Sequence, residues 1–161
     1  MNRTQRFAAV DAVYATLPRL ECKGYCHDSC GPIAMTTLER QRLRAAGQEI
    51  HANTDAGDRP GRLLVCSALT DDNRCGQYDL RPAICRIWGM TRALQCTYGC
   101  VPEGGYLTER QAYTFLADVA GAAGEPVEEQ RLREAAASPF LDRVVKQEQS
   151  ARLHRYGMKV D

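Results

Sequence analysis

Residues 22–31 read CKGYCHDSCG, with Cys22, Cys26 and Cys30 spaced four and four. The architecture of the first half of the chain turns on how that run is read. On an α-helix the outer two sulfurs would be separated by a rise of about 12 Å. Zinc–sulfur bonds of about 2.3 Å hold tetrahedral thiolates within roughly 4 Å of one another. If all three cysteines serve one ion, the segment must loop, and Gly24 and Gly31 permit it. The alternative is a short helix with one face of buried thiols, which few neighbouring Leu, Ile or Val side chains support.

Outward from that run, five more cysteines follow: Cys66, Cys75 and Cys85, then Cys96 and Cys100, with none after Cys100. Met1–Leu20 contains Arg3, Arg6, Asp11 and Arg19 and no continuous apolar run, so it does not read as a secretory leader. No stretch approaches the roughly 18 apolar residues of a membrane span. The expected location is the cytoplasm, where clustered thiols point to metal or redox chemistry before a disulfide framework. The 161 residues suit a single domain, with 44% hydrophobic and 25% charged residues. A net charge of +1 gives no support for nucleic acid as a partner.

The pattern around the cysteines is helical. Phe7, Val10, Val13, Tyr14 and Leu17 predict an amphipathic helix over 4–17, stopped by Pro18. Thr36 and Glu39 form a capping-box pattern opening a helix that ends at Gly47. Residues 48–61 read as a loop, Arg62–Cys66 as the one credible strand, and Asp71-Asp72-Asn73 as a turn. Pro82 opens a short helix to Trp88, with Gly89 as its stop. Thr108 caps a helix with Tyr113, Leu116 and Val119 on its apolar side. Residues 126–137 and 139–155 predict two more helices, divided at Ser138-Pro139. The expected fold is mainly α and irregular, with at most short strands. A loop-rich, metal-stapled region spans about 20–105, and a helical region about 106–157.

The stretches CKGYCHDSCGPIAMTTLE (22–39), LLVCSAL (63–69) and CGQYDLRPAICRIWG (75–89) resemble the CxxCxxCC cysteine-cluster family, a YkgJ-like zinc- or iron-chelating domain. The most specific part is Cys75-x2-Tyr78-x2-Arg81-Pro82-x2-Cys85-Arg86, which matches the family's C-x-x-Y-x-x-R-P-x-x-C-R signature. The first run departs from the family pattern: its gaps are longer, and Gly31 stands where a paired cysteine would be. Cys96-x3-Cys100 is similar to an extension of some members. The resemblance implies metal chelation. A flagellin lysine methylase carries a related cluster, which makes protein modification the alternative to a non-catalytic role. The second gap of the first run differs from that of the radical-SAM motif, and the chain is short for that barrel.

All eight cysteines (Cys22, Cys26, Cys30, Cys66, Cys75, Cys85, Cys96 and Cys100) are candidate metal ligands. Zinc is the favoured ion, with iron or an iron–sulfur cluster as the alternative. An all-thiolate zinc site is structural, so function would lie in binding a protein partner. His27 is a candidate substitute ligand or a loop histidine; His51 and His154 read as solvated. Arg81 and Arg86 suit either an anion clamp or hydrogen bonding to the thiolates. Tyr78 and Trp88 are placed to pack beside the site. Asp71 and Asp72 have no visible base or nucleophile beside them, and no phosphate loop, dinucleotide fingerprint or hydrolase motif is present. The basic run from Arg143 to Lys159 reads as a solvated helix face.

Overall fold

The structure is a computed structural model that describes residues 1–25, 27, 30–31, 33–49, 66–141, 143 and 147. Among them are five α-helices and no sheet: α1 Arg3–Tyr14, α2 Thr37–Ala45, α3 Ala83–Arg86, α4 Glu109–Ala123 and α5 Pro126–Ala137. The mainly α, irregular fold expected from the sequence is therefore observed. Strand pairing among the described residues is limited to two isolated bridges, Leu69 with Cys75 and Thr91 with Leu107. The predicted strand at 62–66 and the helix at 139–155 fall largely outside the described residues, as do Cys26, His51 and His154.

Three of the long helices, α1, α2 and α4, start where side chains satisfy the first backbone N–H groups. Asn2 and Gln5 cap α1 reciprocally, Thr36 and Glu39 cap α2, and Thr108 and Gln111 cap α4. Gly124, at φ 83°, ends α4 in the left-handed region, and Pro126 starts α5 directly afterwards. α1 is shorter than predicted. Its last residues, 15–17, close as a turn through Thr16 N–H to the Val13 carbonyl at 3.0 Å.

The main core joins α1, α2, α3 and α4 through Val10, Leu38, Ala83, Ile87, Ala112, Phe115, Val119 and Ala123. The buried stripe of α4 is Ala112, Phe115 and Val119, with Leu116 partly buried and Tyr113 half-exposed. The face is thus turned from the expected Tyr113–Leu116–Val119 line, because Phe115 is the side chain that meets Tyr14 of α1, with ring centroids 6.3 Å apart. The other face of α4 packs on α5. A smaller core of Leu43 and Ala68, flanked by Ile33, Met35, Cys66 and Leu80, ties α2 to the cysteine-bearing loops.

Candidate metal centre

Cys85 sits on α3, a single turn whose start is set by Pro82; its N–H bonds the Pro82 carbonyl at 3.0 Å. Burial pushes the Cys85 thiol up from 9.0 to about 12, and Cys66, Cys30 and Cys75, in that order, push it the same way, with Arg81 opposing. Those three cysteines come from two other segments. Cys30 lies in the loop before α2, and its carbonyl accepts the Cys66 N–H at 3.3 Å. Cys66 and Cys75 flank a tight turn closed by Gly76 N–H to Ala68 at 2.8 Å and Thr70 N–H to Arg74 at 2.8 Å. Asn73 sits at the turn tip with φ 62°, in keeping with the expected Asp71-Asp72-Asn73 turn. The Cys66 thiol is raised by burial and by Cys75, while the Ala68 N–H bonds its sulfur and acts in the opposite sense.

The remaining described cysteines gather elsewhere. Burial raises the Cys100 thiol; its sulfur accepts the Lys23 N–H, shares a hydrogen bond with Cys96 and feels the charge of Cys22. Cys22 in turn accepts the Gly24 N–H at 3.3 Å and bonds the Tyr78 side chain. The cysteines therefore group across the sequence clusters: Cys30 joins Cys66, Cys75 and Cys85, whereas Cys22 joins Cys96 and Cys100.

One buried side chain aligns α1, α2 and α3. Glu39 is 4% exposed. Its Oε2 accepts the Thr36 N–H at 2.7 Å and the Thr36 hydroxyl at 2.9 Å, while Oε1 accepts the Ala83 N–H at 2.6 Å and the Tyr14 hydroxyl. The first N–H of the Cys85 helix is thus held by a carboxylate from α2. The Tyr14 phenol is raised by burial first and then by Glu39. The capping-box pattern pointed to Glu39 as the N-cap partner of Thr36; its bonds to Tyr14 and Ala83 carry no local signal.

The two signature arginines pack on aromatic rings and donate to backbone carbonyls. Arg81 stacks 3.6 Å from the Tyr78 ring centre and donates to the Tyr78 carbonyl at 2.9 Å. Arg86 donates to the carbonyls of Arg81 at 2.7 Å and Asp79 at 2.6 Å, and covers the Tyr14 ring at 4.2 Å. They staple the 3-10 turn Tyr78–Leu80 to α3. Arg81 still acts on Cys85 through its charge. Trp88 and His27 are half-buried.

None of the seven described cysteines is in a disulfide. Among the described residues, no three His, Cys, Asp or Glu side chains stand close enough to hold an ion as arranged. The donor chemistry nevertheless suits a soft cation: all-sulfur groups, partly desolvated, with backbone N–H groups directed at Cys22, Cys66 and Cys100. No helix among the described residues is long and apolar enough to cross a membrane. Comparison with protein-family models, with curated proteins and with solved structures finds no match.

Proposed function

We propose that this chain is a cytoplasmic metal-binding protein in which Cys30, Cys66, Cys75 and Cys85 take up one zinc ion that staples its loop-rich half. The observation that carries the reading is the company of Cys85. A half-buried thiol on a short, firmly anchored helix has three further thiols close enough to oppose its ionisation. Four such groups can ionise together only if a cation compensates them. Zinc with four thiolates has no open coordination position, so it contributes folding energy rather than chemistry.

Function then lies in the surface this half presents. Tyr25, Tyr78 and Tyr98 are exposed, Tyr25 meets Tyr98 edge-on at 5.6 Å, and Arg74 lies 5.7 Å from the Tyr25 ring. Tyrosine and arginine are the residue types enriched in protein interfaces, which supports a protein partner here. The test is to purify the protein without oxygen and to quantify metal and acid-labile sulfide. Colourless protein with bound zinc and no sulfide is the expected result. A brown protein with stoichiometric sulfide would overturn it in favour of an iron–sulfur cluster.

A further inference from the structure

A cleft with no cysteine in its lining opens beside the first turns of α1 and α2. Its volume is about 320 Å³, at the lower end of the range for small-molecule sites. We infer that this cleft binds a small organic oxyanion, a molecule that carries a carboxylate or phosphate group on a short body. The inference is independent of the metal reading, and its failure would leave that reading standing.

The side chains that line the cleft carry the argument. Arg3 and Arg6 stand one turn apart on α1, and Thr37 and Gln41 one turn apart on α2, so each pair shares a face of its helix. Buried Leu38 and Ala123 supply an apolar part. Arg6 is fixed by the end of α4. Its Nη1 donates to the Ala123 carbonyl at 3.3 Å, and it lies so close to Gly124 that an added Cβ would be 2.6 Å from the guanidinium carbon. Only glycine leaves room there, at a φ of 83°. The bond to Ala123 uses one of Arg6's N–H donors and leaves the others unspent. Among the described residues, the Arg3 guanidinium and the Gln41 side-chain amide have no hydrogen-bond or ion-pair partner. The cleft therefore collects donors that nothing in the protein receives.

The opposing charge is smaller. Glu125 is the carboxylate in the lining, and its Oε1 accepts the Thr37 N–H at 2.5 Å. The partial negative charge at the end of α4 and the partial positive charge at the start of α2 oppose one another. Two guanidinium groups against one carboxylate leave the cleft net positive. The guanidinium fork matches the paired oxygens of a carboxylate or phosphate.

The full-length chain, labelled with nitrogen-15, is titrated with butyrate and, in a separate sample, with inorganic phosphate, at an ionic strength held constant with sodium chloride. Saturable shifts of the Thr37, Gln41 and Gly124 amides are expected, and the probe that binds more tightly identifies the headgroup. Arg3 is exposed, so Arg3→Gln is expected to keep the helix content by circular dichroism. It should weaken binding about tenfold or more, because it removes a charged donor. Glu125→Gln keeps an oxygen for the Thr37 N–H and removes the opposing charge, so it should tighten binding, which a mere loss of structure would not do. Shifts that grow without saturating with both probes, or that are the same in Arg3→Gln, would mean an adventitious ion only and would overturn the site. Unchanged or weaker binding by a folded Glu125→Gln protein would overturn it as well.

Discussion

Replacing Glu39 by glutamine keeps its size and removes half of its accepting capacity, which makes it a sharp test of the α1–α2–α3 junction. The carboxylate accepts two hydrogen bonds at each oxygen: the Thr36 N–H and hydroxyl at one, the Ala83 N–H and Tyr14 hydroxyl at the other. An amide places its NH2 at one of those positions. A hydroxyl can rotate to accept from it, but a backbone N–H cannot. Whichever way the amide turns, either Thr36 or Ala83 is left with a buried, unpaired N–H. Such a group costs about 1–3 kcal/mol. Glu39→Ala leaves both N–H groups unpaired and is expected to cost about 2–6 kcal/mol on the same scale. Tyr14→Phe removes only one donor to the carboxylate, a loss of about 1.5 kcal/mol, at the lower end for hydrogen bonds to charged groups. Urea unfolding of the metal-free protein reads these as shifts in midpoint at constant slope. Because the Ala83 N–H opens the helix that carries Cys85, Glu39→Gln should also weaken zinc binding at the proposed Cys30, Cys66, Cys75 and Cys85 site. A Glu39→Gln protein within about 0.5 kcal/mol of the parent, the range of an ordinary surface substitution, would refute the proposed role of the junction.

Cys75→Ser and Cys85→Ser should each release one zinc ion and lower the thermal midpoint of the zinc-loaded protein, whereas a full metal complement at an unchanged midpoint would remove both residues from the ligand set. In metal-free protein the folded chain keeps the Cys85 proton up to about 12, where an unfolded thiol would lose it near 9.0. Across that window the unfolded state holds fewer protons, so stability should fall as pH rises, and a flat pH profile of the urea midpoint would count against the buried thiol group. Gly89→Ala should cost about 1–3 kcal/mol, because φ is 87° and the added Cβ meets Leu20, and an unchanged midpoint would mean that the 19–24 and 89–103 segments are not packed as described. Phe115→Ala, at the contact between α1 and α4, should cost about 3–5 kcal/mol by calorimetry.

The helices were legible because their signals are local. A capping pair three residues apart, a proline at a helix start and a glycine just past its end act within one turn, so the starts of α2, α3 and α4 could be read directly from the sequence. The buried face of α4 was less legible: Tyr113 and Phe115 both satisfy an apolar pattern, and only the position of Tyr14 on α1 selects Phe115. The loops around the cysteines carry almost no periodicity, and beyond the turn at 71–73 and the proline-started helix the sequence there indicated abundant thiols but not which of them lie together.

The sequence alone determined that the protein is mainly helical and that eight cysteines crowd into its first hundred residues, because helix propensity, capping and composition are properties of neighbours along the chain. Tertiary structure decided which thiols come within reach of one another's charge. Cys30 lies with Cys66, Cys75 and Cys85, while Cys22 lies with Cys96 and Cys100. That partition depends on where the turns at Gly24, Gly76 and Gly99 send the backbone and on a carboxylate at Glu39 reaching the first N–H of the Cys85 helix, and residue spacing encodes neither.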